Sequence, residues 1–264
     1  MPGNKMRRFL LFGCIAVFIF SASILGWQYF QSFREDKALK QSAKDCALSS
    51  ADASRQPADV SPSQTADGEP ASVILEQYAE LSRQNADMIG WIRIDGTNID
   101  YPVMYTGDDF YLSHGFDKAD SKSGLPFIDK RCTVEPFGTN TIIYGHNMKN
   151  ESMLSGLLKY KSFDYYAGHP GIRFDTLYET QEYEIVAVFE SEVYRKSDAV
   201  FKHYNFLNAE NQAAFDEYIA EIKELSLYDT GIFPEYGDGL ITLMTCSYHT
   251  ENGRFVVVAR KTGE

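Results

Sequence analysis

From Trp91 to the C-terminus the apolar residues come in short runs broken by Gly, Pro, Asn and Asp, and that spacing confines the fold to β-structure. Trp91-Ile92-Arg93-Ile94, Asp95-Gly96 and Thr97 to Val103 read as a hairpin, because Asp-Gly suits a tight two-residue turn. Pro126 to Asp129 and Thr141 to Tyr144 are further short runs, and Tyr183 to Val188 alternates as a half-buried strand does. Leu240 to Cys246 and Arg254 to Arg260 form a terminal pair, with Asn252-Gly253 as turn material. Short strands with irregular connections predict a β-barrel or a β-sandwich. Two helices accompany them. Ile74, Tyr78 and Leu81 recur at helical spacing and predict one helix ending before Ile89. Asn208 is placed to cap a second, whose apolar stripe is Phe215, Tyr218, Ile219, Ile222 and Leu225.

The first 70 residues lack this pattern. Lys5, Arg7 and Arg8 precede an uncharged stretch from Phe9 to Phe30, about the 20 residues that a bilayer core requires. A cleaved signal peptide is the competing reading, with Ser21-Ala22-Ser23 as its small-residue site, but Ile24, Leu25 and Trp27 carry the apolar run past it. Residues 1–30 are therefore expected to be a cytoplasmic basic end and a transmembrane signal-anchor. Residues 31–70, rich in Ser, Ala, Gln and Asp with Pro57, Pro62 and Pro70, are expected to be an extracytoplasmic stalk. Residues 71–264 are the folded domain. On this reading the protein is a single-pass membrane protein whose domain lies outside the cytoplasm.

Charge and cysteines narrow the function. The net charge is −12 and no basic stripe stands out, which argues against binding a nucleic-acid backbone. The four cysteines, Cys14, Cys46, Cys132 and Cys246, form no CxxC pair and no Cys/His cluster of zinc spacing. No Gly-rich phosphate loop occurs either, so neither a cofactor nor a metal is expected. A Cys46–Cys132 bridge stays open.

Three residues have types and positions suited to acyl transfer. In Thr242-Leu243-Met244-Thr245-Cys246 the cysteine ends a strand just before a polar loop. Position alone leaves a buried structural cysteine open. Arg254 opens the next strand, and antiparallel pairing across Ser247 to Gly253 would bring it to the end where Cys246 sits. There a guanidinium favours a thiolate and any oxyanion formed by its attack. His146 follows the strand Thr141 to Tyr144, and Gly145 before it lets the backbone turn sharply. Cysteine catalysis needs such an imidazole, although a loop histidine that merely ends a strand is equally compatible with the local pattern. His114, His169 and His203 read as exposed, and His249 as a surface-loop residue.

Thr242 to Cys246, TLMTC, resembles the TLxTC motif of the sortase family in full. Gly253 to Ala259, GRFVVVA, resembles the arginine strand that follows it, and Thr141 to Met148, TIIYGHNM, the histidine segment. Gly90-Trp91-Ile92 through Asn98-Ile99-Asp100-Tyr101-Pro102-Val103 is similar to the opening of class B sortases in particular. The resemblance runs over residues 71–264 with its motifs in order.

The resemblance implies a mainly β fold: an eight-stranded sortase-type β-barrel with N-terminal helices and one helix inserted before the cysteine strand. It makes Cys246 the nucleophile, His146 the general acid/base and Arg254 the third catalytic member. Tyr144, Leu112, Met244 and Thr245 would line the substrate groove. The implied partners are exported proteins with a C-terminal sorting motif, cleaved after Thr, and a peptidoglycan-precursor or pilin amine that accepts them. Two rivals are an L,D-transpeptidase-like wall enzyme and a non-catalytic anchored surface-binding module. The first expects a Ser-x-Gly-Cys context, whereas Thr245 precedes the cysteine here. The second expects Cys246 to be buried.

Overall fold

The computed structural model describes residues 14–15, 17–23, 37 and 73–263. They fall into two units, 1–41 and 42–264. In the first, residues 14–15 and 17–23 are helical. Among the described residues no helix is long and apolar enough to cross a membrane. The single-pass membrane localisation expected from the sequence is therefore not supported and is corrected here. The rest of residues 1–30, the 31–70 stalk other than Lys37, and Cys46 lie outside the described residues.

Eight strands close into a barrel in the second unit, in the order β1-β2-β3-β4-β7-β8-β6-β5. Helix α1 (Glu76–Gln84) leads into β1 (Met88–Arg93) and β2 (Asp100–Met104), an antiparallel hairpin. The hairpin was expected; its two-residue turn was not found. The last pair is closed by Ile94 N–H on the Ile99 carbonyl, so the loop is Asp95–Asn98. Asp95-Gly96 occupies the middle of a β-turn within it, with Gly96 at φ +74°.

A 3-10 helix (Phe110–Leu112) precedes β3 (Phe127–Ile128) and β4 (Asn140–Tyr144). A second 3-10 helix (Leu154–Lys161), α2 (Phe163–Gly168), β5 (Gly171–Thr176) and β6 (Glu182–Glu192) follow. The connection from β6 carries a third 3-10 helix (His203–Asn205) and α3 (Gln212–Leu225), the helix expected before the cysteine strand. The chain ends on β7 (Leu240–Cys246) and β8 (Gly253–Thr262), antiparallel to each other. Strand β7 also pairs in parallel with β4, from Asn140↔Leu240 to Tyr144↔Met244. A parallel pair needs a long crossover, which residues 145–239 supply.

Strand β6 is buried on both sides from Ile185 to Phe189 rather than alternating. The physical reason is that it pairs with β5 and β8 while α3 packs over it, and the segment after α3 bonds to the backbone of Val188. Strand β5 went unread. Its Arg173 and Asp175 interrupt an apolar run, yet they pair with each other and with Tyr78, whose hydroxyl donates to Asp175 and docks α1. The cap of α3 is Asn211, whose side chain accepts from Ala214 N–H. Asn208 instead accepts from the Thr139 backbone N–H, and Leu225 at the helix end is exposed. His203, read as exposed, is 1% exposed: it sits against Phe189 with Nδ1 3.3 Å from Ser191 Oγ.

Candidate active site

The β4–β7 pairing places the histidine segment alongside the cysteine strand. Past the last register pair the two chains stay joined: Gly145 N–H donates to the Met244 carbonyl (3.1 Å) and Thr245 Oγ1 to the Gly145 carbonyl (2.8 Å). Asn147 Nδ2 donates to the carbonyl of Cys246 itself (3.0 Å). Gly145 is required here, because a Cβ would lie 2.6 Å from Cγ of Leu154. Leu154 N–H in turn holds the His146 carbonyl.

His146 is fixed from a third element. Its Nε2 lies 2.8 Å from the carbonyl oxygen of Leu112, in the 3-10 helix before β3. A carbonyl can only accept, so Nε2 carries the hydrogen, and Nδ1 is the acceptor nitrogen of the neutral ring.

Across the β7–β8 ladder Cys246 is the direct partner of Arg254. The turn between them is held by Ser247 N–H on the Gly253 carbonyl, with Asn252 at φ +58°. Arg254 Nη1 donates back to the carbonyls of Asn252 (3.2 Å) and Gly253 (3.0 Å), which anchors the guanidinium on the turn that joins the two strands. Cys246 is a free thiol and is partly exposed. Cys132 is also free, but buried, with Ile142 N–H donating to its sulfur, and burial pushes its thiol up.

Cys246, His146, Arg254, Tyr144, Leu112, Met244 and Thr245 all line one groove of about 350 Å³. The sequence reading did not single out Asp129, Arg131, Val193 and Tyr204, which line it too. Asp129 is only 6% exposed and accepts from Arg131 and from the Tyr144 hydroxyl (2.9 Å). Burial alone would raise the Asp129 carboxyl, but those hydrogen bonds and the Arg131 charge hold it below the usual carboxylate range. Burial, with Asp129 adding to it, pushes the Tyr144 phenol above its ordinary value. Among the described residues no group of three or more His, Cys, Asp or Glu could hold a metal ion.

A closed eight-stranded barrel with a partly exposed cysteine, an arginine and a histidine on one groove points to a cysteine acyl-transferase, and comparison gives the family. The Sortase domain family matches residues 92–262. Sortase B of Listeria monocytogenes is 34% identical over 70% of this chain and 73% of its own length; sortase B of Staphylococcus aureus is 28% identical over 71% and 75%. The chain belongs to the sortase family of cysteine transpeptidases.

Within the family it falls in class B. The S. aureus sortase B–substrate complex superposes with a TM-score of 0.73 at 22% identity, covering 88% of this chain and 98% of that one, which shows the shared fold. Sortase B from B. anthracis superposes at 0.68 with 25% identity, covering 90% and 99%.

Proposed function

We propose that this class B sortase cleaves a sorting motif of exported proteins after a Thr residue and joins the freed carbonyl to a primary amine, through a thioester on Cys246. The observation that carries the reading is the register pair Cys246↔Arg254 beside a His146 whose Nε2 is occupied by the Leu112 carbonyl. The Cys246 thiolate attacks the Thr carbonyl carbon, and Arg254 stabilises the oxyanion that forms. As the C–N bond breaks, the leaving amine takes a proton from His146. Because Nε2 is held, Nδ1 is the ring atom that first takes the Cys246 thiol proton, then gives it to the leaving amine and later accepts one from the incoming amine. Attack by that amine then breaks the C–S bond and restores the thiolate.

The relatives support the choice of partners by analogy. Sortase B of the same fold has been solved in complex with a substrate and in complex with Gly3. By that analogy the donors are exported proteins with a C-terminal sorting motif. The acceptor is a peptidoglycan-precursor or pilin amine.

The test is to incubate the full chain with a library of sorting-motif peptides and look by mass spectrometry for an adduct on Cys246. An adduct that an added amine resolves into a ligated peptide, and that Cys246→Ala lacks, is the expected result. No adduct on any peptide, with Cys246 inert to iodoacetamide, would overturn the reading in favour of a non-catalytic binding module.

A further inference from the structure

The groove holds a charged pair that the proposed chemistry does not use. Asp129 sits just past β3, nearly buried, and its carboxylate is fully engaged. Arg131 donates to it through Nε (3.0 Å), Nη2 (2.6 Å) and its backbone N–H (2.9 Å), and the Tyr144 hydroxyl adds a further bond. Burying a carboxylate is unfavourable unless it is paired and hydrogen-bonded. A groove whose only requirement was a packed floor would be served by an apolar residue here.

The arrangement reaches further than the pair. Arg131 Nη2 also donates to the Tyr204 carbonyl (2.8 Å), and Nη1 lies 3.4 Å from Asn205 Oδ1. Those residues belong to the β6–β7 connection, which forms one side of the groove through Tyr204 and Val193. Tyr144, at the other end, is the β4 residue immediately before Gly145-His146 and the register partner of Met244. One carboxylate and one guanidinium therefore tie the start of the β3–β4 loop to the β4 floor and to the β6–β7 wall. Only a planar fork can hold a carboxylate on one side and carbonyls on the other, so lysine is not an equivalent.

We propose that Asp129 and Arg131 are positioning residues that set the spacing between the floor of the groove and its β6–β7 wall, and so govern how tightly the sorting peptide is held. The inference rests on the transpeptidase reading above and extends it to the groove. Neither residue acts on the reacting atoms. A pair that merely stabilises the fold would lower the melting temperature without changing the KM of the folded enzyme.

The experiment compares the full-length chain with Asp129→Asn, Arg131→Lys and Asn205→Ala, using a sorting peptide that the unsubstituted chain turns over and a fixed amine. Alkylation of Cys246 is followed by mass spectrometry on the same samples, beside the melting temperature. The expected result is a KM raised about tenfold in Asp129→Asn and Arg131→Lys and less in Asn205→Ala, with kcat and the alkylation rate within about twofold. Unchanged KM in the folded variants overturns the inference, and so does a loss of kcat at constant KM, which would place the pair at the reaction centre. Should the first two variants not fold, Tyr144→Phe and Asn205→Ala each remove one arm and leave the pair intact. Both must then raise KM, and unchanged KM in both overturns the inference. An unsubstituted chain that turns over no peptide overturns the transpeptidase reading and this inference together; turnover without the KM effect overturns this inference alone.

Discussion

Arg254 is the register partner of Cys246 and is held by its own turn, since Nη1 donates two hydrogen bonds to the carbonyls of Asn252 and Gly253. That anchoring fixes a planar cation on the turn that joins the cysteine strand to the arginine strand. On the function proposed here, Arg254→Ala should lower the single-turnover acylation rate by about 10²–10³. Arg254→Lys should recover little of it, because an ammonium on a flexible stem lacks the fork that makes these contacts. Acylation by Arg254→Lys at near the original rate would show that charge alone suffices. The residues assembled at this point were legible in the sequence because short motifs carry them: TLMTC, GRFVVVA and TIIYGHNM each lie on one strand and its adjoining turn. Asp129 and Arg131 were not legible, because their meaning lies in partners such as Tyr204, 73 positions further along the chain.

Elements set the tolerances within which those residues meet. The 3-10 helix at Phe110–Leu112 presents the carbonyl that fixes His146, and Gly124 packs directly on it. Gly124 has φ +53°, and a Cβ there would lie 2.4 Å from the Tyr111 carbonyl oxygen and 2.6 Å from that of Leu112. Gly124→Ala is therefore strained in backbone and contact, with an expected cost of about 1–3 kcal/mol by urea unfolding. It should also displace the Leu112 carbonyl, so transpeptidation should fall further than the folded fraction does; a parallel fall in the two would mean that the carbonyl does not set His146. A second element-scale prediction concerns the cap of α3. Asn211→Ala should destabilise by about 1 kcal/mol in urea titrations, and Asn208→Ala should show no capping effect. Strand periodicity located most strands but failed where tertiary context overrode it. Strand β6 lost its alternation to the cover of α3, and β5 hid its Ile172, Phe174 alternation behind an Arg173–Asp175 pair that only the docked α1 makes intelligible.

For the whole molecule the telling observation is a neutral imidazole inside a protein of net charge −12. His203 is 1% exposed, and burial lowers its pKa to about 4 from an ordinary 6.5. Between those two values the unfolded chain binds a proton that the folded one refuses, so stability rises with pH across that window and is lost on acidification. The shift corresponds to about 3 kcal/mol, present above pH 6.5 and gone by pH 4. Asp129 adds a loss at lower pH. Its carboxyl is held below the usual range, so its contribution is complete above about pH 4 and is lost as the pH falls from there towards the lower value of the folded carboxyl. Opposing both, acidification reduces the net negative charge and relaxes self-repulsion, so the raw pH curve alone cannot assign the effect. Replacing the titrating group can. His203→Phe keeps a ring against Phe189 and removes the proton, at the cost of the Ser191 contact at every pH. Urea unfolding at pH 7 and pH 4 should show the natural chain losing about 3 kcal/mol more than the variant does over the same interval. Equal losses in the two proteins would mean that the acid sensitivity of the barrel originates at another group.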